Sequence, residues 1–333
     1  MTRDSSPIHS SEDIEPGAGS STPAGADARR ERLLGGAYAF SAYLLWGILP
    51  LYFLALAPTG PWELVAWRIV LSLGFCLILL TVMRGWRRLG RIMAQPRLLA
   101  LTALAGALIY VNWQVYILAA LTSHVLEASL GYFINPIVTV LLGVLVLRER
   151  LRVSQWAALG LAALAALVII VGYGEFPWIA LTLATSFGVY GLVKKKLGPS
   201  VDAVSGLTLE SMWLLPVAAV LLIVVGSTTG ITFGADGPWH AALLGLAGVI
   251  TATPLLLFAA GSRRVPLTVM GMLQFVAPIL QFILGVWFLG EPMSLERWIG
   301  FALVWLALII LTVDSVVAAR RSRAGVSDVA DLT

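Results

Sequence analysis

The chain has 333 residues, of which 59% are hydrophobic and only 12% charged, with a formal net charge of +4. A soluble domain carries about 25% charged residues, so the composition excludes a chain built for water. The small positive excess is spread through many short clusters, which reads as membrane topology and not as a nucleic-acid-binding face.

Residues 1–28 are rich in Ser, Pro, Gly and acid and have almost no large apolar groups. Such a segment cannot bury enough surface to fold, and it lacks the apolar core of a signal peptide. A disordered cytoplasmic tail over 1–32 is expected, with a second over 320–333. Between them lie ten apolar stretches, approximately 34–56, 62–83, 98–120, 124–147, 153–172, 177–193, 201–225, 239–261, 266–289 and 294–317. Each approaches the ~20 residues needed to cross a bilayer as a helix. The connecting loops are too short to hold a soluble catalytic domain.

Twenty of the 22 basic residues fall before the first span, after the last, or in alternate loops. The clusters are Arg29/Arg30/Arg32, Arg84/Arg87/Arg88/Arg91/Arg97, Arg148/Arg150/Arg152, Lys194/Lys195/Lys196, Arg263/Arg264 and Arg320/Arg321/Arg323, with Arg3 ahead of them. Basic loops stay cytoplasmic during insertion, so both termini are expected in the cytoplasm of a bacterial inner-membrane protein. Trp62, Trp178 and Trp239 sit at the opposite ends of spans, where amphipathic rings prefer the interface. Only Arg68 and Arg297 break the charge pattern.

The fourth and ninth spans resemble each other. With Pro136 aligned on Pro278, Gly143 falls on Gly285, Glu149 on Glu291 and Trp156 on Trp298 without a gap. Trp46-Gly47 and Phe187-Gly188 match more weakly in the first and sixth spans. The fold expected is all-α and polytopic: ten transmembrane helices as two inverted five-helix repeats, over 33–172 and 173–319. An odd number of spans per repeat forces the inversion. Inverted repeats place a substrate site near midplane where the halves meet.

A charge at the bilayer centre costs at least about 2.5–3.5 kcal/mol, so each one needs a reason. Arg68 lies roughly two turns into the second span. It cannot readily lose its proton and should have a carboxylate partner, and Glu127 in the fourth span has a comparable depth. A buried structural pair and a functional one both fit. Glu210, near the middle of the seventh span, has the least access to bulk water. Its pKa should rise unless a cation sits nearby, which makes it the candidate for proton coupling. Glu127, Gly131 and Asn135 share one helical face, with Tyr132, Pro136, Thr139 and Gly143 beside them; Gln274, Pro278, Gln281 and Gly285 form the equivalent stripe. A polar side chain next to a proline offers hydrogen bonds beside a bent backbone. Small-residue packing is the competing reading, favoured for the glycines. Asn112, Trp113 and Tyr116 on the third span, and Trp213 after Glu210, are weaker candidates for lining a site for a ring-bearing or cationic compound.

Other chemistry is missing. No phosphate-binding Gly-x-x-x-x-Gly-Lys-Ser/Thr loop occurs, and His9, His124 and His240 form no metal-ligand cluster. Cys76 is alone, so no intrachain disulfide is available. No nucleophile–base pair argues for an enzyme, and no cofactor is expected.

The run Leu126-Glu127-Ala128-Ser129-Leu130-Gly131-Tyr132-Phe133-Ile134-Asn135-Pro136 resembles the signature of RarD-type permeases, in the EamA branch of the drug/metabolite transporter superfamily. Tyr43-x-x-Trp46-Gly47-x-x-Pro50-x-Tyr52-Phe53, Asn112-Trp113, Tyr190 to Lys196 and Glu210 to Pro216 are similar as well, over roughly residues 35–320. The resemblance implies ten helices in two inverted halves and a link to chloramphenicol sensitivity or resistance. Family members often carry Lys where this chain has Leu54 and His where it has Trp67, so roles of those groups do not transfer. The expectation is a secondary active transporter that moves a small organic metabolite or drug-like compound by alternating access, with Arg68, Asn112, Trp113, Glu127, Tyr132, Asn135, Glu210, Trp213 and Gln274 on its pathway. Proton coupling and a homodimer are further expectations. An amino acid-like nutrient uptake permease and a non-transporting membrane regulator remain open.

Overall fold

The computed structural model describes residues 23–121, 125–173 and 178–283, with isolated helical positions between 295 and 313; within the helices, the side chains of 121–130 and a few others are not described. All regular structure among the described residues is helical. The elements are α1 (Pro23–Leu54), α2 (Pro61–Val82), α3 (Trp86–Met93), α4 (Pro96–Leu121), α5 (Val125–Leu147), α6 (Val153–Tyr173), α7 (Trp178–Leu197), α8 (Ala203–Thr228), α9 (Gly237–Gly245), α10 (Ala247–Arg264), α11 (Leu267–Leu273) and α12 (Val276–Ile283). Arg29–Leu54, Pro61–Val82, Pro96–Tyr116, Ala203–Thr228 and Gly237–Arg264 are long and apolar enough to cross a membrane. Gly131–Leu147, Val153–Val168 and Leu267–Leu280 are shorter apolar helices. The tenth expected span lies largely outside the described residues.

Boundaries follow local chemistry. Pro61 opens α2 at a position where its missing N–H costs nothing. The Asp202 carboxylate accepts from the Ser205 N–H at 3.0 Å and caps α8. Three elements depart from expectation. Helix α1 starts at Pro23, inside the segment read as a disordered tail, because Ala24 to Arg32 is rich in good helix formers and Glu31 is held by Arg264 at 2.8 Å. The basic loop after α2 contains a short helix, α3, anchored by buried Leu89 and Ile92. The ninth span is interrupted at Gln274–Phe275, four residues ahead of Pro278, whose missing N–H leaves the Gln274 carbonyl without its helical partner. Pro136 occupies the equivalent place in α5, which stays continuous.

Helix packing shows the duplication directly. Helix α1 packs on α10 and, equivalently, α7 packs on α4; α5 packs on α7 and, equivalently, α1 on α11 and α12. Helices α2 and α8 exchange with each other and pack together, as do α5 and α11. These self-exchanging pairs are antiparallel. Glu63 at the start of α2 meets Thr232, just beyond α8, while Arg88 beyond α2 meets Asp202 at the start of α8. Gly106 in α4 and Gly248 in α10 are separated by the same 142 residues as Pro136 and Pro278. A Cβ at Gly106 would press on the Glu210 backbone, and one at Gly248 would run into the backbone of Leu71, so the two glycines permit equivalent close crossings, α4 on α8 and α10 on α2.

The two ends of the bundle differ in charge. Glu31–Arg264, Arg88–Asp202 and Glu149 on the first residues of α11 gather the basic clusters at one end. At the other end the Thr59 hydroxyl meets His240 at 2.9 Å, and the Tyr52 hydroxyl donates to the Leu243 carbonyl at 2.9 Å.

Candidate functional site

Between these ends, α1, α2, α4, α5, α7 and the α11–α12 break enclose one cavity, with ≈ 90 Å³ of clear space. That is room for several waters or part of a small organic molecule. Both repeats contribute walls. Aromatic rings dominate: Tyr43, Trp46, Phe53, Trp113, Tyr116, Tyr132 and Phe187. Trp46 and Phe187, the residues matched between the first and sixth spans, meet edge to face with centroids 5.4 Å apart. The repeats therefore touch through equivalent aromatics at the cavity wall.

Four polar side chains interrupt the aromatic surface. Arg68 is 6% exposed, and its Nε donates to the Thr251 hydroxyl at 2.9 Å. Its guanidinium carbon lies 4.6 Å from the Trp113 ring centroid and 5.2 Å from that of Phe53. Two ring faces supply diffuse negative potential to this cation. No carboxylate reaches Arg68 within ion-pair distance among the described residues. Glu63, one and a half turns away, is committed elsewhere. It accepts from the backbone N–H groups of Thr232 and Phe233, from the Thr232 hydroxyl and from the Trp67 indole. The expected partner Glu127 lies on α5, with its side chain outside the described residues.

Asn112 donates to the Leu183 carbonyl at 2.9 Å and to the Ser186 hydroxyl at 3.1 Å, which ties α4 to α7. Gln274 accepts from the Thr139 hydroxyl at 3.2 Å, joining the two proline-bearing stripes. Asn135 is buried and its Oδ1 has no hydrogen-bond partner among the described residues; the Tyr43 hydroxyl is in the same condition. An unsatisfied buried polar group costs about 1–3 kcal/mol. Both belong to residues that line the cavity, Tyr43 from α1 and Asn135 from α5.

Arg68, Asn112, Trp113, Tyr132, Asn135 and Gln274 thus converge on the cavity. Glu210 and Trp213 do not line it. Trp213 is 46% exposed, on the outer surface of α8. Glu210 is 1% exposed, and its Oε1 is 2.6 Å from Lys194 Nζ, with the Tyr190 hydroxyl donating to Oε2 at 3.2 Å. Residues that sequence reasoning did not single out for the site are Tyr43, Phe53, Phe187 and Thr251. The first three stood only inside motifs, and Thr251 carries no local signal. Among the described residues, no three His, Cys, Asp or Glu groups gather as metal ligands.

An all-helical membrane bundle of two exchanged halves around a polar, aromatic-walled cavity is the architecture of a membrane transporter. The EamA-like transporter family model matches residues 33–171 and 177–313, and the chain belongs to that family. It is 47% identical to the protein RarD of Streptomyces exfoliatus, over 89% of this chain and 94% of that protein. It is 40% identical to the uncharacterized transporter YojE of Bacillus subtilis strain 168, over 86% of this chain and 96% of that protein. A solved crystal structure, 20% identical, superposes with a TM-score of 0.64 over 84% of this chain and 97% of that one, and so shares the fold.

Proposed function

We propose that this transporter is a secondary carrier that works by alternating access across the bacterial cytoplasmic membrane, with its basic end inside. Its substrate is a small, ring-bearing organic compound with an anionic group that docks on Arg68. The carrying observation is a buried guanidinium that points into a cavity between the two halves, with no carboxylate against it among the described residues. A permanent cation in a low-dielectric wall attracts an anion strongly, and the flanking Trp113 and Phe53 faces suit an aromatic ring beside it. Asn135 Oδ1 and the Tyr43 hydroxyl supply bonds to polar groups elsewhere on the ligand. Transport then needs only differential binding in the outward-open and inward-open states.

The test is flux into proteoliposomes bathed in a labelled bacterial metabolite extract. The expected outcome is protein-dependent movement of ring-bearing anions, abolished by Arg68→Gln and preserved by Trp213→Ala. Absence of any flux supports a regulator instead, and equal flux in the Arg68 variant removes the anion from the reading. Loading the extract inside or outside separates export from nutrient uptake. Chloramphenicol, aromatic but uncharged, shows whether the ring suffices.

A further inference from the structure

A second pocket lies at the basic end, between the end of α2, α3 and the start of α8. It has ≈ 200 Å³ of clear space, and Arg84, Arg87, Arg88 and Arg91 line it together with Asp202 and Leu80. We propose that this pocket binds the phosphate headgroup of an anionic phospholipid.

Four guanidinium groups face a single carboxylate. Only Arg88 is matched, at 3.6 Å from Asp202 Oδ2. Arg84, Arg87 and Arg91 reach no carboxylate among the described residues. Neighbouring clusters at the same end have members engaged internally: Lys194 on Glu210, Lys195 on the Val265 carbonyl and Arg264 on Glu31. A positive-inside signal needs charge in a loop but needs no concave site. This cluster forms one because α3, fixed by buried Leu89 and Ile92, folds its arginines back beside α2. Arg84 adopts φ 52°, a left-handed conformation that glycine usually fills at a helix end. Arg148 adopts the same conformation, φ 57°, just past the end of α5.

The surroundings select a lipid over a soluble phosphate. Val82 (75% exposed), Met83, Ile78 and Trp86 present apolar surface beside the arginines. A headgroup in the pocket therefore lays its acyl chains along the adjoining end of α2. Basic pockets between helices at a membrane surface recognise anionic headgroups in this way, at about 1 kcal/mol per basic residue. The site joins α2 and α3 of one repeat to α8 of the other, so a bound lipid bridges the two halves.

The experiment is thermal unfolding of the detergent-purified protein during titration with short-chain phosphatidylglycerol, short-chain phosphatidylcholine or inorganic phosphate. A ligand that binds the native state raises the midpoint in a saturable way. Phosphatidylglycerol is expected to do so, while phosphatidylcholine and inorganic phosphate leave the midpoint in place. The triple change Arg84→Gln, Arg87→Gln, Arg91→Gln should weaken phosphatidylglycerol on the order of a hundredfold. Arg88 and Arg97 keep the loop basic for insertion in that variant. Asp202→Asn removes the opposing charge but keeps a capping side chain, and should tighten the lipid severalfold; it carries the test if the triple variant does not fold. Equal shifts with both lipids, or an undiminished phosphatidylglycerol shift in the triple variant, overturn the proposal. So does no tightening in Asp202→Asn. A shift reproduced by inorganic phosphate assigns the pocket to a free anion and overturns the lipid.

Discussion

Lys194 and Glu210 form a buried ion pair between α7 and α8, with Nζ 2.6 Å from Oε1 and side chains 5% and 1% exposed. Tyr190 donates to the second carboxylate oxygen. The pair lies outside the cavity, so any proton coupling through Glu210 acts on the contact between α7 and α8 and not on bound substrate. Glu210→Gln leaves the Lys194 charge buried without its counter-charge, which costs about 3–5 kcal/mol. The expected outcome is a lower unfolding midpoint and poor expression, with both restored by adding Lys194→Met, because removal of the two charges together is close to neutral. A Glu210→Gln protein as stable as wild type contradicts the ion pair.

The same two residues show what was legible in the sequence. Lys194 belonged to a run of three lysines that topology explained fully, so nothing prompted a search for its partner. Trp213, three residues after Glu210, is offset from it by about 60° on the helix. That angle is enough to turn one residue into the bundle and the other to the outer surface. By contrast, Arg68, Asn112, Asn135 and Gln274 stood out because a polar group in an apolar run is costly wherever it points. The exchange of halves was readable from Pro136 and Pro278, but the break at Gln274 was not. The same proline in α5 leaves the helix whole, so a proline at this place does not by itself dictate a break.

Arg68 gives the second prediction. A pairing with Glu127 would make Arg68→Leu destabilising, because a carboxylate would be stranded. The described contacts of Arg68 are Thr251 and two rings, and removal of a desolvated charge from such a site is neutral or stabilising. Arg68→Leu is therefore expected to keep or raise the unfolding midpoint while substrate-driven flux falls about thirty- to a hundred-and-fiftyfold, the value of two to three kcal/mol of lost charge-assisted hydrogen bonding. A large loss of stability in this variant reinstates the carboxylate pair.

Glu149 ties the end of α5 to the start of α11 at the basic end of the bundle. Its two carboxylate oxygens accept the Leu267 and Thr268 N–H groups, each at 2.8 Å, and so cap α11 from the end of α5. In the alternating access proposed above, opening the bundle at this end by separating α5 from α11 would break both bonds. Glu149→Gln keeps one acceptor and loses the charge that favours a helix N-terminus, at about 1 kcal/mol. In a Cys76→Ser background, a cysteine placed at Thr139, behind this cap, should react roughly five times faster with a membrane-impermeant maleimide added on the basic side when Glu149→Gln is present. Unchanged labelling would falsify the role of Glu149 as a closure contact.

Asp202 sets an acid limit on the same end of the molecule. Burial pushes its carboxyl up, but the Ser205 hydrogen bonds and the Arg88 charge outweigh that and hold it below the usual aspartate value. A carboxyl whose folded pKa is depressed contributes stability in full above its unfolded pKa, near 3.9, and loses it as pH falls through the lower folded value. The unfolding midpoint is therefore expected to drop on acidification below about pH 4, in part through loss of the α8 cap. In Asp202→Asn that part of the slope disappears. At neutral pH the variant should sit slightly below wild type, since the Arg88 contact is largely solvent-screened and contributes little. The two curves should converge at the acid end, where Asp202 is protonated and also uncharged. Midpoints measured from pH 7 to pH 3 check this, and parallel curves across the range would show that the Ser205 and Arg88 contacts do not hold the Asp202 carboxyl below its usual value.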